Sequence, residues 1–330
     1  MTDRISAELL GESPPAGFGI TPKFVSQTIF FKYDAWIAFV RYMGDQALEP
    51  WDSQIKVELL SRSPRVGVSM IGNNRPRDPP MLNKHFMWSL MAVIGWWEAQ
   101  EGGAVYAETN FGVVIAGVRY GVGRVYSKLG EEEEPNVVSQ PSGVETSKKK
   151  VKTRRQTLTP SPEEDPAAGT SAQGSKIVTL ADGTQELTIP AMKAPSAPSN
   201  DDEIKLTATF KDDPRAPPVC AAVDFYLLLM KMVLHIAEQD PESAFQASKI
   251  YDRDLKFTFE MGANSEEAGR RGDLKAKMAV AALGAIAEMM SQEPPRKRFH
   301  EFWAKILWNG RPVGQMVMFK GRVPGGGGGP

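Results

Sequence analysis

The sequence predicts an α+β protein, a tandem duplicated two-layer sandwich. Each lobe is expected to be an antiparallel-rich four-stranded sheet in the order β-α-β-α-β-β, with two helices on one face. Three observations predict it. The stretch "VSMIGNN" (68–74) is echoed by "FEMGAN" (259–264), the segments around each copy come in the same order, and a polar Pro/Ser-rich stretch separates the two halves.

Each unit opens on an alternating stretch, "FVSQTIFFKY" (24–33) or "IKLTATFKDD" (204–213), read as a strand. A helix follows. At a separation of 190, Asp34, Arg41 and Asp45 fall on Asp224, Lys231 and His235, a thin polar stripe on an otherwise apolar helix. At the same separation Gly72 meets Gly262 and Asn74 meets Asn264. Two inserted residues then move the separation to 192 for the next helix. There Leu82, Phe86, Leu90, Val93, Ile94 and Trp97 face Leu274, Met278, Ala282, Ala285, Ile286 and Met289, an i/i+4/i+7 pattern. Each unit closes on a hairpin, "FGVVIAGVRYGVGRV" (111–125) or "AKILWNGRPVGQMVMF" (304–319), the second with a strong Asn309-Gly310 turn signal. In "KFTFEM", Phe257 and Phe259 alternate with Thr258 and Glu260, so one sheet face there should stay wet, and the lobes should pack as a pseudo-dimer.

The resulting organisation is a flexible N-terminus (1–20), a first lobe (21–126), a mostly disordered linker (127–200), a second lobe (201–323) and a flexible Gly-rich tail (324–330). The linker is poor in aromatic and branched residues, which leaves little to offset the entropy of ordering it. Its exception is 176–190, where Asp182-Gly183 between two β-prone runs reads as a hairpin able to dock on a lobe.

Charge narrows the functional classes. Residues 1–126 carry 12 basic and 12 acidic side chains, and residues 201–330 carry 18 of each. Neither lobe has the excess of a general phosphate-backbone binder, although a local basic patch is compatible with those totals. Nucleic acid is therefore not the favoured partner. One cysteine, Cys220, and no apolar leader fit an intracellular protein of the cytoplasm or nucleus. The apolar run 219–237 is interrupted by Asp224, Lys231 and His235 on one face, so it reads as a buried amphipathic helix rather than a membrane span.

The sequence contains no phosphate-binding loop, nucleophile elbow, zinc-protease motif or cysteine pair, so no catalytic residue, cofactor or metal site is nominated. The glycines of "GVRYGVG" (117–123) belong to a hairpin, since no helix follows to present amides to a phosphate. His85, His235 and His300 show no ligand spacing and read as surface residues, and Cys220 reads as core filling.

Three groups of candidate site residues emerge. Trp88, Met91 and Trp96 lie off the apolar face of their helix, and at a separation of 192 the tryptophans become Val280 and Glu288. Aromatic surface beyond one core stripe points to a second contact, at the lobe–lobe seam, in an oligomer or on a partner. Arg75, Arg77 and Lys84, with Arg270 and Arg271 in the other copy, precede or begin helices and are candidates for an anion or an acidic partner. Lys148, Lys149, Lys150, Lys152, Arg154 and Arg155 resemble a nuclear localisation signal beside Thr159-Pro160 and Ser161-Pro162. The leading expectation is a non-enzymatic interaction or scaffold protein that binds a protein partner or itself. The alternatives are a nuclear regulatory protein using the basic linker, and a small-molecule binder or enzyme with its site between the lobes.

Overall fold

The computed structural model describes residues 12–56, 59–60, 65–73, 79–100, 104–128, 176–179, 185–190, 203–211, 218–245, 247–252, 257–292 and 299–321. Arg75, Arg77, the basic run 148–155, the Asp182-Gly183 turn and the tail lie outside them. The first half forms β1 (Phe18–Ile29), α1 (Lys32–Gln46), β2 (Leu59–Leu60), β3 (Val66–Gly72), α2 (Asn83–Glu98), β4 (Ala107–Ile115) and β5 (Val118–Ser127). Next come β6 (Lys176–Thr179) and β7 (Gln185–Pro190). The second half forms β8 (Glu203–Phe210), α3 (Ala222–Ala237), β9 (Ser248–Asp252), β10 (Phe257–Ala263), α4 (Glu266–Arg271), α5 (Ala276–Gln292), β11 (Phe302–Trp308) and β12 (Arg311–Lys320).

The protein is thus α+β with two antiparallel sheets. Their orders are β1-β4-β5-β3-β2 and β6-β7-β8-β11-β12-β10-β9. Neither sheet stops at four strands. A short strand, β2 or β9, extends one edge of each, and the hairpin of 176–190 adds β6 and β7 to the other edge of the second sheet by pairing Gln185–Pro190 with Ala208–Glu203. A third helix, α4, also enters the second half. It is set by Ser265, whose side chain accepts from the Ala268 N–H, and is ended by Gly272 at φ 68°.

Several hydrogen bonds around the second long helix of each half correspond. Ser53 N–H donates to Pro50 and Ile55 N–H to the Met81 carbonyl; Ser243 donates to Asp240 and Phe245 to Leu274. Lys84 N–H reaches the Trp51 carbonyl at 3.1 Å, as Lys277 reaches Pro241 at 3.1 Å. Lys84 Nζ also meets Asp52 at 2.7 Å, and Lys277 Nζ meets Glu242 at 2.5 Å. These pairs keep the separation of 190 before the second helix but make it 193 within that helix, one more than the apolar pattern alone gives. On the same footing Gly72 corresponds to Ala263 rather than Gly262, because Gly72 pairs with Gly121 and Ala263 with Gly314. Both of those glycines are required by packing. A Cβ at Gly121 would lie 2.4 Å from Met81 Sδ, and one at Gly314 would lie 2.8 Å from Leu274 Cδ2.

The helices lie between the sheets. β1, β3, β4 and β5 turn Phe18, Val68, Met70, Phe111, Val113 and Val125 inward against α1 and α2, and β8, β10, β11 and β12 do the same toward α3 and α5. One continuous cluster of buried side chains joins both halves. At its centre α1 packs against α3 and α5. Trp36 lies 5.1 Å from Tyr226, Tyr33 stacks on Phe299 at 6.2 Å, and Arg41 forms an ion pair with the buried Glu288. Fully burying each large apolar side chain of this layer contributes about 1.5–3 kcal/mol.

Candidate functional site

With helices on their inner faces, both sheets have outer faces that no other described element covers, and the first of these forms a trough of about 450 Å³. Register builds it in rows. Lys23 of β1, Asn110 of β4, Arg124 of β5 and Ser69 of β3 stand side by side. The next row holds Thr21, Gly112, Val122 and Ile71. Arg119 crosses the floor of this second row, since a Cβ on Gly112 would lie 3.3 Å from its Nε and 2.7 Å from Thr21 Oγ1. At one end the Arg124 guanidinium stacks 5.1 Å from the ring centre of Tyr126, and that ring lies flat over Gly67.

Among the described residues no carboxylate lines the trough. Of the described acids of the first half, Glu12 and Asp52 meet Lys84 and Asp34 faces Arg65 at 3.4 Å. Glu108 stands on this same face one row beyond Asn110, opposite Tyr126, and accepts from Ser26 Oγ and the Ser127 N–H. The outer face of the second sheet repeats one element of this surface, with Lys305 Nζ 4.8 Å above the ring of Trp303. Its charge is mixed, because Glu260 meets Lys249 nearby at 3.6 Å.

A second exposed feature sits where β1 runs into α1. Val25 is 48% exposed, Ile29 73% and Phe31 61%. Among the described strands β1 is at the edge of its sheet, and its ladder with β4 is irregular between Phe24 and Ile29.

The structure places the sequence-nominated residues differently from the expectation. Trp88 is buried against Phe18 at 5.5 Å and Trp51 at 5.8 Å, and Trp96 lies on Phe24 at 4.5 Å. Met91 is partly buried beside them. The aromatic surplus of α2 is therefore covered by β1 of the same half, while the seam between halves is built by α1, α3 and α5. With the helix separation at 193, Trp88 and Trp96 correspond to Ala281 and Met289.

Lys84 is held by Glu12 and Asp52, and hydrogen bonds from Lys84 and from the Trp51 indole keep the Glu12 carboxyl below its ordinary range. Arg270 pairs with Glu266, and Arg271 with Glu267 and Asp273. Lys84 is thus paired with carboxylates from two other segments, and Arg270 and Arg271 with carboxylates of α4 and the residues just after it, so the structure does not gather these cations at one place. His85 and His300 are buried, not on the surface. Burial pulls the His85 imidazole below its usual pKa, and its Nδ1 accepts the Leu82 N–H at 3.2 Å. Cys220 is buried.

The sequence nominates none of Lys23, Arg119, Arg124 and Tyr126, because the glycines of "GVRYGVG" read as part of a hairpin. The available signal was the alternation Val122, Arg124, Tyr126 on one face of that strand. Among the described residues no cluster of His, Cys, Asp and Glu could hold a metal ion, and no helix is long and apolar enough to cross a membrane. No protein-family model, curated protein or solved structure matches the chain.

Proposed function

We propose that the chain is a non-enzymatic interaction protein. Two similar α+β lobes, descended from a tandem duplication, hold one another through a shared helical layer and join a second copy through the β1 edge. The duplication is supported by the repeated strand order, by the matched hydrogen bonds around α2 and α5, and by the paired glycines under Met81 and Leu274. The limits 21–126 and 201–323 suit those lobes, with β1 beginning a few residues earlier. The lone cysteine suits work in a reducing compartment.

The observation that carries the interaction reading is an inequality between equivalent edges. β8 is covered by β7, whereas β1 has no further strand beside it among the described residues and ends in the exposed Val25, Ile29 and Phe31. A strand edge with unpaired backbone groups and apolar side chains accepts another strand. Two β1 edges related by a twofold axis give a self-complementary contact. Pro22 brings no N–H to either side of the strand, which directs the contact to the Val25–Phe31 end.

The test is sedimentation velocity on the full chain. The expected result is a dimer that an Ile29→Lys, Phe31→Lys variant loses while its circular dichroism stays unchanged. A chain that sediments as a monomer at all concentrations, or a variant that dimerises as well as the parent, contradicts the reading.

A further inference from the structure

We propose that the outer face of the first sheet binds single-stranded nucleic acid. This goes beyond self-association through the β1 edge and does not depend on it. The regional charge of the first half is zero, yet the structure separates its charges. Three cations, Lys23, Arg119 and Arg124, come together in a trough with no carboxylate among its described lining residues. The acid of this face, Glu108, stands one row away opposite Tyr126 and is held by Ser26 and Ser127, and none of the three cations has an ion-pair partner among the described residues. Such a surface attracts a polyanion by releasing its counterions.

The remaining chemistry distinguishes among polyanions. The guanidinium of Arg124 stacked with Tyr126 is a flat platform of the kind on which unpaired bases stack. Val122, 42% exposed, and Ile71 offer apolar contact between the charges. Thr21 and Asn110 supply short polar groups beside them. Gly112 keeps the floor low, so the Arg119 guanidinium lies along the sheet instead of standing above it.

A duplex presents its bases stacked inside and offers such a platform nothing but phosphate. The face is also a depression across four strands, about 15 Å wide at the usual interstrand spacing, with no helix or ribbon to enter a groove. An acidic peptide would satisfy the cations but leave the stacked platform unused. The observations therefore favour a short run of single-stranded nucleotides, with phosphates on Lys23 and Arg119 and a base on the Arg124–Tyr126 stack.

The experiment is fluorescence anisotropy of labelled oligothymidylate and oligouridylate with the full chain across a salt series. Binding should weaken as salt rises. The triple variant Lys23→Gln, Arg119→Gln, Arg124→Gln should lower the log–log salt slope by about 1.4, the share of two phosphate contacts on a single strand. Tyr126→Ala should weaken binding about tenfold with little change in slope, as loss of one stacked base does. All four side chains lie on the outer face, and unchanged melting temperatures confirm that the variants are folded. The Ile29→Lys, Phe31→Lys variant should bind the oligonucleotides as the parent does, which separates this site from the dimer edge.

Three results overturn the proposal. One is no binding even at low salt. Another is binding that survives the triple variant and disappears when Lys148–Arg155 is neutralised, which assigns the affinity to the basic run. The third is equal displacement of the oligonucleotide by heparin or an acidic peptide with no effect of Tyr126→Ala, which reduces the face to a generic cation patch.

Discussion

Phe111 and Gly123 stand opposite each other on β4 and β5, and the ring of Phe111 fills the space where a Gly123 side chain would be. A Cβ on Gly123 would lie 2.3 Å from that ring. In the second half the matching row, Met261–Met316–Ala304, reverses the sizes, with the large side chain on β12 and the small one on β11. Volume is kept while its owner changes, which is the swap that cores tolerate. Phe111→Ala alone should cost about 3–5 kcal/mol of stability by opening a cavity. Gly123→Met alone should cost about 1–3 kcal/mol or more by overpacking. The double variant, which copies the second half, should be more stable than the sum of the two losses by about 2 kcal/mol. Denaturant titration of the four proteins measures this coupling, and simple additivity would refute the correspondence between Gly123 and Met316.

The two hairpins are equivalent at their turns as well as along their strands. Ala116-Gly117 and Asn309-Gly310 both have positive φ at each residue, at 49° and 80° and at 49° and 76°. This is the two-residue turn that suits the twist of paired strands. Asparagine tolerates the left-handed region through its short polar side chain, and alanine does not. Ala116→Asn should therefore raise stability by about 1 kcal/mol, read as a higher melting temperature; a neutral or lower value would show that the turn is not strained at Ala116.

These elements were legible because their signals are local. The Asn-Gly turn, the helical apolar spacing and the alternation of "KFTFEM" each lie within one segment. The short strands β2 and β9 were not legible, since pairing with β3 and β10 rather than their own composition makes them strands. The helix separation was read as 192 because small apolar residues crowd α5 on nearly every side, so one register fits its pattern about as well as the next.

At the scale of the molecule, the two sheets enclose one helical layer, and both proposed contacts use outer faces and edges. That layer decides what α2 does. Its tryptophans looked surplus in sequence because the residues that cover them, Phe18 and Phe24, belong to a strand far upstream. The trough was illegible for the same reason. Lys23, Arg119 and Arg124 become neighbours only through the order β1-β4-β5-β3. The seam was illegible too, since Arg41 of α1 pairs with Glu288 of α5 across the halves and neither segment's own pattern names that partner.

The central claim, that β1 is an edge waiting for its own copy, is tested most directly by hydrogen exchange across a range of protein concentrations. Amides of Phe18–Ile29 that face away from β4 should exchange rapidly when the chain is dilute and slow markedly as it is concentrated. Those of β8, already paired on both sides, should not respond. Exchange in β1 that is the same at every concentration would contradict the account.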